Sequence, residues 1–158
     1  MTALMVGCAN GYHFRGRYAP DLAIAFGRGL RAHGDELPPT VKLVSLLGTY
    51  LRETYFSSLY GKAQNLAPAL TAAYDRAFAD VDVLVMPTAT HYAHVHLPDA
   101  SISERVLRGW DMVANTAPFD VTGHPSLSIP AAEADGLPVG VMLTGPAFSE
   151  ARLLRLAR

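Results

Sequence analysis

Asn115-Thr-Ala-Pro-Phe-Asp-Val-Thr-Gly-His-Pro-Ser-Leu-Ser-Ile-Pro130, followed within a few residues by Gly136-Leu-Pro-Val-Gly-Val-Met-Leu-Thr-Gly145, is the stretch from which the fold can be read. Pro118, Gly123 and Pro125 are turn formers. The short apolar runs after them, Ser126 to Ile129 and Val139 to Leu143, each predict a strand. Val81 to Met86 is a third such run, holding three valines and bounded by Pro87. It is too short and too β-branched for a helix.

Helical periodicity fills most of the remaining chain. From Pro20, the residues Leu22, Ala25, Phe26 and Leu30 share one face, and His33-Gly34 ends the pattern. Gly27 and Gly29 each weaken that helix by roughly 1 kcal/mol relative to alanine. Leu37-Pro38-Pro39 is held extended by its prolines, which places Thr40 to cap the next helix. Val41, Val44, Leu47, Leu51 and Tyr55 follow at helical spacing. Leu59, Ala63, Leu66, Leu70, Ala73 and Ala77 continue the spacing up to Asp80. Inside that second series Pro68 costs about 3 kcal/mol, so a kink is expected, or a restart with Asn65 as cap that leaves the proline in the tolerant first turn. Ser101 to Asn115 carries a capping-box signature, Ser101 with Glu104, and Ser149 to Arg158 opens a last helix.

Helices, strand, helix, two strands, helix: this order predicts an α/β fold with helices covering a sheet. Three strands are few, and an open edge would offer unpaired backbone groups to another chain. The last helix stops at Arg158 with its final turn barely formed, so the chain reads as cut.

Composition sets outer limits. The 158 residues, 50% apolar and 17% charged, suit one globular domain. A net charge of -1 provides no field for a phosphate backbone, so nucleic acid is not expected as a partner. Cys8 stands alone, which excludes an internal disulfide and suits a reducing cytoplasm. The N-terminus has no basic segment and is too short to span a bilayer. A soluble, cytoplasmic protein with no membrane partner is expected, beginning with a loop-like segment, residues 1 to 18, that is rich in glycine and aromatics.

The two quoted stretches resemble the C-terminal part of the amidase signature hydrolases. Asp82-Val-Leu-Val-Met-Pro-Thr88 looks like that family's strand ending in Pro-Thr. Tyr60-Gly-Lys-Ala-Gln-Asn-Leu66 resembles the long helix before it in the amidases related to nitrile-degrading aryl and aliphatic amidases, and Asn10 to Tyr18 resembles an upstream glycine- and aromatic-rich loop. The resemblance implies a mixed β-sheet sandwiched between helices, with residues 1 to 158 as the C-terminal portion of a single amidase domain. It also implies hydrolysis of a carboxylic amide to carboxylate and ammonia, with no cofactor. Two departures stand out: Pro68 interrupts a helix that is usually continuous, and a histidine-rich tract after Thr88 replaces a proline-rich one.

Such enzymes attack the amide with a serine, aided by a second serine in a cis peptide and a lysine, all on a glycine- and serine-rich segment that this sequence does not contain. Ser57, Ser58 and Lys62 imitate the set at helical spacing. However, a helical setting supplies no backbone donors for an oxyanion, so no catalytic residue is expected here. The GxSxG elbow of other hydrolases is absent as well. The chain is therefore expected to be inactive alone and to need the missing N-terminal amidase portion as partner, with a homodimer also allowed. A non-catalytic remnant or scaffolding subunit is the alternative.

What the resemblance assigns to this piece is the wall of the acyl pocket: Thr88 and His91 from the strand end, with Asn115, Phe119, Thr122 and Gly123 from the loop. Beside that reading stands a plainer one, in which Pro118, Gly123 and Pro125 only shape a turn. In His91-Tyr-Ala-His-Val-His96, an extended backbone would put His94 and His96 on one face near Asp99. His91 is out of phase with them, no cysteine helps, and the amidase mechanism uses no metal, so no metal site is expected.

Overall fold

The computed structural model describes residues 17–158, which divide into two compact units, one ending at Ala63 and the other spanning Gln64–Arg158. Cys8 and the loop-like reading of the N-terminal segment, apart from Arg17 and Tyr18, lie outside the described residues.

The described part of the first unit is helical. Helix α1, Pro20–His33, has Pro20 in its first turn, Asp21 near its N-terminus and Arg31 and His33 in its last turn, so its charges complement the helix dipole. A short 3-10 turn, Gly34–Glu36, follows and is tied on both sides: His33 Nδ1 lies 3.0 Å from Glu36 Oε1, and Lys42 Nζ donates to Asp35 O at 2.8 Å. Helix α2, Pro39–Tyr55, begins one residue earlier than its expected cap. Thr40 sits inside the first turn, because Pro39 already has the helical φ and lacks the N–H that a cap would satisfy. The helix ends on Phe56 in a left-handed conformation (φ 50), with Ser57 also at positive φ (65).

That double left-handed step separates α2 from α3, Ser58–Ala77. Ser57 therefore lies in the turn, while Ser58 opens the helix four residues before Lys62, so only one serine of the pair stands at helical spacing from the lysine. Helix α3 continues without a restart through Pro68 into the second unit, correcting the expectation that Asn65 would cap a new segment. The missing proline N–H leaves the Gln64 carbonyl without its helical donor.

The second unit contains the sheet, ordered β1-β3-β2 with both pairings antiparallel. Strand β1 is Leu84–Pro87, shorter and later than the Val81–Met86 run, while β2 is Ser126–Ala134 and β3 is Leu137–Thr144. The β2–β3 hairpin closes on Asp135-Gly136, both at positive φ (53 and 77), the geometry of a two-residue turn that Asp-Gly favours. The register shifts between Pro130 and Ala132, a bulge on an edge strand where proline costs no ladder bond. Only residues 141–144 of β3 pair with β1, so burial deepens toward that end: Met142, Leu143 and Thr144 are buried while the hairpin tip is exposed.

Helix α6, Glu150–Leu156, covers this end by burying Leu153, 2% exposed, against the sheet. Gly145 permits the approach, because a Cβ there would collide with the Ser149 hydroxyl and meet Leu153 Cδ2 at 3.3 Å. Helix α4 is Ile102–Asp111. Ser101 caps it by accepting from the Glu104 N–H at 3.2 Å, but the Glu104 carboxylate turns to Arg108 (2.9 Å) rather than back to the cap. The helix stops at Asp111 instead of Asn115, and a new short helix, α5 (Ala117–Thr122), starts with Pro118 in its first turn. No helix among the described residues is long and apolar enough to cross a membrane.

Candidate functional site

The expected pocket residues fall into three local groups of the second unit. The first group is at the C-terminal end of β1. The Thr88 N–H donates to Gly140 O (2.9 Å), extending the β1–β3 ladder by one residue, and its Oγ1 meets Ser128 Oγ at 2.6 Å. Asn115 Nδ2 donates to Pro87 O at 2.7 Å, so the segment after α4 is tied to the last residue of β1. Thr88 and Asn115 thus meet at one strand end, each held by a hydrogen bond.

The second group is core. Phe119 is buried beside Tyr74, ring centroids 5.1 Å apart. Thr122 Oγ1 bonds His124 Nδ1 at 2.8 Å, and His124 Nε2 reaches Asp75 Oδ1 at 3.2 Å. His124 is 5% exposed and lies against Tyr74 and Phe78, with centroids at 5.8 and 5.2 Å. The order hydroxyl, imidazole, carboxylate imitates a nucleophilic triad. Burial of the imidazole leaves no room for a substrate carbonyl, so the chain of bonds ties α3 to α5. Gly123 ends α5 with φ 75, its N–H donating to Phe119 O at 2.9 Å, and a Cβ on it would touch nothing within 4 Å. Its left-handed conformation by itself calls for glycine.

The third group is one that sequence spacing does not assemble. His91 Nε2 and His94 Nε2 lie 3.1 and 3.0 Å from the same Asp111 oxygen, and the two rings stack with centroids 4.4 Å apart. The grouping of His94, His96 and Asp99 that an extended backbone would give is not formed: residues 89–99 build no strand, so alternate residues do not share a face, and the three-residue step from 91 to 94 does. His96 instead lines a cleft with His94, Leu97, Pro98, Arg105 and Arg108. Asp111 gives no signal in the sequence because its role depends on α4 ending there.

The electrostatics follow from these contacts. The hydrogen bond from His91 Nδ1 to Tyr92 O (2.8 Å), joined by the Asp111 carboxylate and opposed by partial desolvation, holds the His91 pKa above 6.5. The hydrogen bond from His94, then the charge and contact of His91, hold Asp111 below the usual carboxylate value.

The comparisons with known proteins agree with this architecture. The Amidase family profile matches residues 27–154. The chain is 45% identical over 157 residues to the "uncharacterized protein in nthA 5′ region" of Rhodococcus erythropolis, covering 98% of this chain and 78% of that protein. It is 42% identical over 156 residues to an enantioselective amidase of Rhodococcus rhodochrous, again covering 98% of this chain but only 30% of that enzyme. In fold it resembles 6-aminohexanoate cyclic dimer hydrolase, with a TM-score of 0.58 at 22% identity over 83% of this chain and 30% of that one. A profile covering most of the sequence, with close relatives along nearly all of it, places this chain in the amidase signature family.

Proposed function

We propose that these residues act as the C-terminal portion of an amide hydrolase, which in its complete form converts a carboxylic amide and water to a carboxylate and ammonia. The observation that carries this reading is the 42% identity to the enantioselective amidase, sustained over 156 residues that make up 30% of that enzyme. In this reading the attacking serine, the bridging serine and the lysine come from polypeptide outside the 158 residues.

The chain's own part is positional. Thr88 and Asn115, fixed at the end of β1, form one wall of the acyl pocket, with His91 on the loop beyond them. Asn115 donates through Nδ2 to Pro87 O, which leaves its carbonyl oxygen as the group to offer a substrate N–H. Phe119, Thr122 and Gly123 contribute indirectly, by holding α5 and the entry to β2 in place. Ser57 and Ser58 are not assigned a nucleophilic role: Ser57 lies in the left-handed turn, and Ser58, one helical turn before Lys62, has no glycine-rich loop around it to hold an oxyanion.

Ammonia release from benzamide and propionamide tests this directly. The purified chain is expected to release none, and addition of an N-terminal amidase portion carrying the glycine- and serine-rich segment is expected to generate turnover. Activity of the 158 residues alone, or labelling of one of their serines by a covalent inhibitor, would overturn the proposal. Silence of the reconstituted pair would favour the scaffolding alternative.

A further inference from the structure

The environment of His91 presents an electrostatic problem. Its Nδ1 lies 2.8 Å from the Tyr92 carbonyl oxygen, which can only accept, so Nδ1 carries the proton. In the neutral ring Nε2 is then a bare lone pair. That nitrogen is shielded from solvent, has no aligned hydrogen-bond donor, and faces an Asp111 oxygen 3.1 Å away. A lone pair against a carboxylate is repulsive unless a second ring proton or a metal ion lies between them. His94 Nε2 approaches the same oxygen from the other side at 3.0 Å.

We propose that His91 Nε2, His94 Nε2 and a carboxylate oxygen of Asp111 form a binding site for a divalent transition-metal ion of borderline softness, Zn²⁺ being the representative. Two imidazoles and a carboxylate are the donors such ions prefer over Mg²⁺ or Ca²⁺. The three ligand atoms lie within 4.8 Å of one another. Bonds of about 2.0–2.1 Å to Zn²⁺ correspond to tetrahedral edges of about 3.3 Å, so the nitrogen–oxygen separations of 3.0 and 3.1 Å need open by only a few tenths of an ångström. The His91 Nδ1–H to carbonyl contact is the outer-shell bond that fixes a ligating tautomer and orients the ring.

The backbone around the site is braced. Arg108 donates to Val95 O at 2.8 Å and Arg105 to Pro98 O at 2.7 Å, pinning the histidine loop to α4. The positive charge of Arg108, one turn before Asp111, is offset by Glu104 at 2.9 Å. Asp111 also ends α4, where the helix dipole favours a cation. With three protein ligands a fourth position stays open to water or a small ligand.

The inference uses only contacts within the second unit and does not depend on the hydrolase reading, so metal uptake and amide turnover can fail separately. The test is equilibrium dialysis and calorimetric titration of the purified chain with Zn²⁺. Co²⁺ serves as an optical probe, because Trp110, the only tryptophan, adjoins Asp111 and its emission should be quenched when the ion binds and restored by chelator. One ion per chain is expected, with low-micromolar affinity. H91A, H94A and D111N should each weaken it by at least about tenfold, whereas H96A should leave it unchanged and far-UV circular dichroism should not alter in any variant. No uptake by the unmodified chain, uptake that survives the H91A/H94A double substitution, or loss on H96A would overturn the proposal.

Discussion

Thr88 Oγ1 and Ser128 Oγ meet at 2.6 Å across the face of Gly140, joining the two edge strands over the central one. The contact requires a residue without a side chain beneath it: a Cβ at position 140 would lie 2.9 Å from Thr88 Oγ1 and 3.0 Å from Ser128 Oγ. Gly140→Ala must therefore rotate one hydroxyl away and break the bond, or push the strands apart. A loss of about 1–3 kcal/mol is expected, as for other overpacked sites, read as a lower denaturation midpoint. T88V, which removes the bond without adding bulk beneath it, should cost about 1 kcal/mol. An unchanged midpoint in G140A would mean that the hydroxyls do not meet over this residue in solution.

Gly123→Ala separates the two readings of the loop before β2. The backbone there has φ 75 and the space around it is open, so alanine meets no atom but must adopt a left-handed conformation. A cost of about 1–2 kcal/mol is expected from that conformation alone. If the glycine only shapes the turn, KM for amides in the complete enzyme should stay the same. A large rise in KM with unchanged stability would restore the idea that Gly123 lets substrate pass close by.

Removing the buried imidazole tests the link between α3 and α5. H124A takes away a ring packed between Tyr74 and Phe78 and strands the hydroxyl of Thr122, so a loss of about 2–4 kcal/mol is expected in chemical denaturation. Asp75 is more exposed, and D75N keeps a carbonyl that can accept from Nε2, so it should cost less than about 1 kcal/mol. Equal effects of the two substitutions would show that the carboxylate charge, rather than ring packing, secures the joint.

The pattern of legibility in the sequence has physical reasons. Period-3.6 patterning identifies α1, α2 and α3, and short β-branched runs identify the three strands, because each depends on residues close in sequence. The Asp135-Gly136 turn is readable by the same logic and marks the hairpin that two separate strand predictions leave unjoined. Pro68 lies inside a continuous α3, where proline's local penalty predicts an interruption. The six-residue helix α5 lies within a stretch that reads as a simple turn. His124 gives no periodic signal, since its partners Asp75 and Thr122 are 49 and 2 residues away. Asp111 joins His91 and His94 only because α4 ends where it does. Pairings between distant elements are where a single sequence says least.

The His91–Asp111 pair predicts the pH dependence of the metal-free chain. His91 is held above its ordinary 6.5 by the Tyr92 carbonyl and by Asp111, so its contribution to stability is fully present below 6.5 and is lost as pH rises through the folded value. Asp111 is held below its ordinary 3.8, chiefly by the His94 hydrogen bond, so its contribution is present above 3.8 and is lost as pH falls through the depressed value. The two windows overlap between 3.8 and 6.5, where the cluster should stabilise the loop most. Imidazole carbon resonances followed by NMR in chelator should give His91 a midpoint above 6.5, and D111N should lower it. The Tyr92 contact survives that substitution, so part of the elevation should remain. A His91 midpoint at or below 6.5, or one indifferent to D111N, would show that the carboxylate does not face the ring in solution.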